Sequence, residues 1–173
     1  MRFKKKTAKL ESFISGLVSR IKKDPALAVF DTTNVGEKVG QGQLYGVILD
    51  HLEAYFHDYK DPRQKATEAS YWEGNKKTKG AAKMIFGGRN YPDMIIYEPY
   101  RIAIEYKLTD SGSVVKQGIG QCMMYTMSGE YDFALLVYHD RTKEKTICSA
   151  SKKQQEKLII EELKKSNVFV CFL

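Results

Sequence analysis

Apolar residues Leu10, Phe13, Ile14, Leu17, Val18 and Ile21 recur at the three-and-four spacing of a helix, with Arg and Lys on the other side, and Asp24-Pro25 ends the pattern. An amphipathic first helix within residues 1–24 is expected, its stripe packing on the core or a partner in preference to lying along a polyanion. A short apolar run at 26–30 and a polar, glycine-containing stretch at 31–42 come next. Leu44, Val47, Ile48, Leu52, Tyr55 and Phe56 then share one broad face up to about Tyr59, which predicts a central helix. Residues 60–89 are rich in Lys, Arg, Gly and Asn and read as an exposed loop with one strand at 67–72. Two β-rich runs flank Glu98-Pro99-Tyr100-Arg101, predicting a hairpin over 91–108. A helix at 113–128, a turn at Gly129-Glu130, an apolar strand at 131–139, a helix at 152–165 and a strand at 168–173 complete the pattern. This order predicts an α/β fold: a central mixed sheet flanked by helices on both faces. It would occupy one domain, 1–173, in which 141–173 forms a terminal helix–strand extension.

Composition narrows this picture a little. A chain of 173 residues with 43% apolar and 28% charged residues can bury a core without staples, which excludes a fibrous or wholly disordered protein. A net charge of +7 favours polyanionic partners without naming one. Cys122, Cys148 and Cys171 form an odd set with no CxxC pair, which speaks against a disulfide framework or a zinc ribbon and fits a reducing cytoplasm. His51, His57 and His139 lack zinc-motif spacing. The basic start, Met1 to Lys6, leads into an amphipathic pattern and not an unbroken apolar run, so neither a signal peptide nor a membrane span is expected.

Candidate chemistry gathers on the hairpin. Strand side chains alternate faces, so Ile102, Ile104, Tyr106 and Leu108 point one way and Arg101, Ala103, Glu105 and Lys107 the other. Core packing explains the first set. An inward Glu and Lys are costly unless paired or bound to an ion. A hairpin centred on Pro99 sets Asp93 across from Glu105, with Lys107 on the diagonal. Two carboxylates facing each other destabilise a sheet unless a cation lies between them, and a divalent metal beside Lys107 meets that need.

Pro92-Asp93, a turn and a strand ending in Glu105-Tyr106-Lys107 resemble the signature of the PD-(D/E)xK nuclease superfamily. Gly87-Gly88-Arg89-Asn90 is similar to the glycine and arginine often found ahead of its Pro-Asp. Gln117-x-x-x-Gln121-x-x-x-Tyr125 on the following helix resembles the Gln-x-x-x-Tyr element of the RecB-like, Holliday-junction-resolvase-like branch. The likeness spans about 37–140. It implies a restriction-endonuclease-like core and metal-dependent hydrolysis of phosphodiester bonds in nucleic acid, DNA being the first choice. It also implies Mg²⁺, with Mn²⁺ as a substitute, held by Asp93, Glu105 and the carbonyl of Tyr106, with Lys107 serving the attacking water. Gln121 would lie beside the catalytic groups, and an acid from an early helix would face the metal: Glu37, with Glu53 as the alternative. Nucleic-acid contacts would come from Arg89, Lys76, Lys77 and Lys79 of the basic loop, and from Gln117 and Tyr125. A solvated surface is an equal reading of that loop. Superfamily members that cut both strands are commonly homodimers, and the stripe of the first helix or the last strand offers an interface.

Three other readings compete. Gly40-Gln41-Gly42-Gln43-Leu44-Tyr45-Gly46 has a dinucleotide-loop spacing but lacks a strand directly before it. A non-catalytic nucleic-acid-binding or assembly module could keep a nuclease-like fold. A structural protein would use Glu105 and Lys107 as a plain cross-strand ion pair.

Overall fold

A computed structural model of the chain describes residues 8–28, 36–75, 83–85 and 88–173, with backbone alone for 83–85 and 88–90. In chain order the elements are α1 (Ala8–Lys23), α2 (Pro25–Ala28), α3 (Glu37–Tyr55), α4 (Pro62–Glu68), β1 (Ser70–Trp72), β2 (Lys83–Ile85), β3 (Gly88–Asn90), β4 (Met94–Ile96), β5 (Ile102–Thr109), α5 (Gly112–Met127), β6 (Phe133–Asp140), α6 (Thr146–Ala150), α7 (Gln154–Lys165) and β7 (Val168–Phe172).

Every residue of β6 is buried, as happens to a strand covered on both faces. It lies inside a five-stranded mixed sheet of order β1-β4-β5-β6-β7, while β2 and β3 pair separately. The β1–β4 and β4–β5 pairs are antiparallel, and β5–β6 and β6–β7 are parallel. Parallel neighbours need long crossovers, which α5 and α7 supply. Met94 faces Ile104 and Ile96 faces Ile102, so the hairpin is centred on Pro99. Period-two alternation then sorts the core. Ile102, Ile104 and Tyr106 join Leu135 and Val137 under Leu17, Ile21, Leu44, Ile48 and Leu52. Ala103 joins Leu136 and Tyr138 under Val115, Cys122 and Tyr125 on the other face.

The central helix starts earlier than the apolar pattern and ends sooner, at Glu37 and Tyr55. Glycine does not break it, because the helix needs close approach there: a Cβ on Gly40 would collide with the Tyr106 hydroxyl. Gly40, Gly42 and Gly46 therefore sit within a helix, and no phosphate-binding loop exists at that pattern. The strand expected at 67–72 shortens to Ser70–Trp72, since Thr67 and Glu68 close α4. Asp61 caps that helix by accepting the Gln64 amide at 2.9 Å, and Pro62 opens its first turn. Residues 60–89, expected as a loop with one strand, thus carry α4, β1, β2 and β3. The stripe of α1 is spent inside the chain, with Ile14, Leu17 and Ile21 fully buried, which removes it as a subunit interface. All three cysteines are free thiols. Among the described residues no helix is long and apolar enough to cross a membrane.

Candidate functional site at the open edge of the central hairpin

β4 pairs with β5 only as far as Met94 and Ile104, yet β5 continues to Thr109. Among the described residues no strand lies beside its β4-side edge beyond Ile104, and buried amides there must find acceptors. Carboxylates take that place. Asp93 Oδ2 accepts the Tyr106 N–H at 2.8 Å. Glu37, in the first turn of α3, lies near the Leu108 amide, Lys107 and Asp93, all of which act on its carboxyl. Within a strand the N–H and C=O of one residue point to the same side, so the Tyr106 carbonyl faces the edge that Asp93 occupies.

Glu105 comes to the same place from the sheet face covered by α5 and is 1% exposed. Lys107 Nζ donates to its Oε2 at 2.9 Å, and the Tyr125 hydroxyl donates to its Oε1 at 2.6 Å. The Asp93 and Glu105 carboxyls also lie close enough to act on each other electrostatically. Burial first, and then Asp93, push Glu105 up to about 7. Burial likewise raises Asp93, against the opposing pull of the Tyr106 amide and Lys107. Burial draws the Lys107 ammonium down, but Glu105, Asp93 and Glu37 outweigh it and leave its pKa raised. Lys107 is therefore a firmly held cation at neutral pH, suited to orienting and charge stabilisation more than to removing a proton. Burial raises Glu37 as well, Lys107 opposing and Asp93 reinforcing the shift.

The structure thus brings Asp93, Glu105, Lys107 and Glu37 together. Tyr125 is 2% exposed and stands behind Glu105 as its hydrogen-bond donor, not on a surface that nucleic acid could touch. Gln121 lies one helical turn before it, its Oε1 buried without a hydrogen-bond partner. Gln117 is exposed on the same helix. Glu53 is engaged elsewhere, accepting from Arg63 at 3.0 Å, so of the two acids considered it is Glu37 that reaches the site. Lys76, Lys77 and Lys79 lie outside the described residues, and Arg89 is described in its backbone alone.

Two contributors had no sequence signal strong enough to find them. Glu73 follows Trp72, which pairs with Met94, so the register carried one residue further sets Glu73 across from Asp93, whose carboxyl it raises. Tyr106 turns its hydroxyl to His139 Nδ1, 3.1 Å away and 2% exposed, on the far side of the strand. Both depend on which strands become neighbours.

Four carboxyls, Asp93, Glu105, Glu37 and Glu73, against one ammonium leave an excess of negative charge that a cation could offset. The donors are all oxygen, which suits a hard ion such as Mg²⁺ more than zinc. Among the described residues no group of three or more His, Cys, Asp or Glu side chains forms a metal-holding cluster. A set made from Asp93, Glu105 and the Tyr106 carbonyl uses only two such side chains. No family model matches the chain, and no curated protein and no solved structure matches it either.

Proposed function

We propose that this protein is a metal-dependent nuclease of the PD-(D/E)xK type, hydrolysing phosphodiester bonds in nucleic acid, with DNA as the first choice. The observation that carries the proposal is the buried Asp93–Glu105 carboxyl pair with Lys107 against it at the unpaired edge of β5. A restriction-endonuclease-like core belongs to the same proposal, supported by an antiparallel hairpin that feeds two parallel crossovers.

Asp93, Glu105 and the Tyr106 carbonyl would hold the cation, with Glu37 at the rim. Bound there, such an ion neutralises charge on a phosphate and lowers the pKa of a coordinated water. The chain's own groups prepare the place. The Tyr106 amide and the Tyr125 hydroxyl fix one oxygen each of Asp93 and Glu105, so neither carboxyl has to reorganise when substrate arrives. Lys107 reaches the site as an ammonium on a sheet face, 19% exposed, where it can orient a water and stabilise charge growing on the phosphate. Gln121 brings an unsatisfied buried carbonyl oxygen to the helix face that carries Tyr125 and can position that water or a substrate hydroxyl.

The test is cleavage of labelled linear, nicked, branched and single-stranded DNA and RNA with Mg²⁺ or Mn²⁺. Asp93→Ala, Glu105→Ala and Lys107→Ala are each expected to lower the rate by about 10³-fold or more, circular dichroism remaining native. Undiminished cleavage by the first two variants overturns the proposal, as does a wild-type protein that binds DNA but neither cuts it nor takes up Mn²⁺.

A further inference from the structure

Among the described residues the sheet ends at β7, whose outer edge forms the floor of a groove of about 1130 Å³ between α1 and α7. Seven lysines line this groove against two glutamates. Lys164 and Lys165 on α7 are neutralised by Glu161 and Glu162 at 2.6 and 2.5 Å. Lys22 and Lys23 at the end of α1, and Lys152 and Lys157 opposite them, make no ion pair with any described acid. Such a concentration of unpaired ammoniums on facing walls is self-repulsive and gains most from an anion that spans both.

β5, β6 and β7 are parallel, so their C-terminal ends lie along one margin of the sheet. Lys107 pairs in register with Tyr138, which pairs with Phe172 in the groove lining. Two strand spacings, roughly 10 Å, separate the catalytic strand from the groove. That interval corresponds to about three nucleotides along one strand of B-form DNA.

We infer that the lysine-lined groove over the β7 edge is a second binding track for the sugar-phosphate backbone of nucleic acid, continuing from the carboxylate site along the same sheet margin. The inference rests on the nuclease reading for its direction and on the groove itself for its chemistry. Lysines without arginines suit phosphates recognised as point charges, which implies binding without base preference. The second occupant an open edge invites is another copy of β7. Self-pairing would bring two lysine-rich grooves together, and the segment Val168–Phe172 holds no acid to offset them.

The experiment measures fluorescence anisotropy of random-sequence labelled oligonucleotides, single-stranded and duplex, in EDTA to prevent turnover, over a salt series. Lys22→Glu combined with Lys157→Glu is expected to weaken binding about tenfold or more. It should also lower the slope of log affinity against log salt by roughly 1.4–1.8, the value of two lost phosphate contacts. Both sites are on the surface, and an unchanged melting midpoint confirms the fold. Unaltered affinity and slope in this variant overturn the inference. So does a wild-type protein that ignores oligonucleotides but binds poly-glutamate, which would mark the groove as a dock for an acidic peptide. Groove-dependent binding without cleavage would leave the track standing and remove the nuclease; metal-dependent cleavage with unaltered binding by the variant would do the reverse.

Discussion

Glu105, midway along β5, and Asp140, at the end of the neighbouring β6, are both buried carboxylates, and their surroundings push them in opposite directions. Asp140 is fully buried, but Oδ1 accepts the Thr142 amide at 2.9 Å and its hydroxyl at 2.6 Å, and Oδ2 accepts the Cys148 amide at 2.8 Å. Burial alone would raise its pKa, yet these donors outweigh burial and hold it below the ordinary carboxylate value. Glu105 has Tyr125 and Lys107 as donors but also faces Asp93, and it is pushed up to about 7. A carboxylate saturated by its own chain is a structural part, here pinning the segment that leads into α6. A carboxylate pressed against another acid at a strand edge keeps a raised pKa, which is the pattern on which the proposed cation site rests.

That contrast can be broken by exchanging the two residues' fates. In cleavage assays Glu105→Gln is expected to lower the rate by about 10³-fold or more, whereas Asp140→Asn, compared at equal folded concentration, should stay within about threefold of wild type. A comparable loss in both would erase the distinction. In urea unfolding the ranking reverses. Asp140→Ala strands two buried amides and should cost about 3 kcal/mol. Glu105→Gln, which removes a repulsive carboxylate, should be neutral or stabilising at pH 8 without metal.

The pH dependence sharpens the same point. Because the folded pKa of Glu105 lies above its ordinary 4.5, the native state retains the proton between there and about 7, and stability falls as pH rises through that window. Asp140 has the opposite sign, its contribution present above its ordinary 3.8 and lost as pH falls through its lowered value. His51 and His139, both lowered to about 4 by burial, add a further loss as pH falls below 6.5, so the quantity to follow is the wild-type minus Glu105→Gln difference. It should grow more unfavourable to wild type from pH 5 to 7 and shrink when Mn²⁺ is added. A flat difference would mean that Asp93 and Glu105 do not compete. The smallest effect expected is that of Tyr125→Phe. Loss of its hydroxyl raises Glu105 further and should move the acidic limb of the rate–pH profile upward by less than about one unit, with little change in stability.

The hairpin was legible because three independent patterns agreed on it: alternation along 101–108, a turn at Pro99, and a Glu and Lys that no core could want. Its register follows from the turn, and Asp93 across from Glu105 follows from the register. The first helix, β6 and β7 were legible from strong periodicity or continuous burial. Other features carry local signals that point elsewhere, or none. Gly40 looks like a helix end in sequence and is instead the place where α3 touches Tyr106. The Asp61-Pro62 start of α4 was hidden among the charges of 60–89, though cap and proline were both present. Asp140 carried no signal, since its partners Thr142 and Cys148 form a cage only once the chain has turned back after β6.

Spacings of a few residues along one stretch of chain encode the alternation of helix and strand and the two faces of β5, and a turn at Pro99 with the register it sets points to Asp93 beside Glu105. Tertiary neighbours set the rest: β4 stops short at Met94 and leaves the Tyr106 amide to Asp93, Glu37 comes near from α3, and Glu73 joins from just past β1. The tertiary structure also decided that Tyr125 is spent on Glu105 and that the lysines of α1 and α7 face each other across β7. Those are relations between segments far apart in the chain, set by which strands become neighbours and which helix covers which face, and no local spacing encodes them.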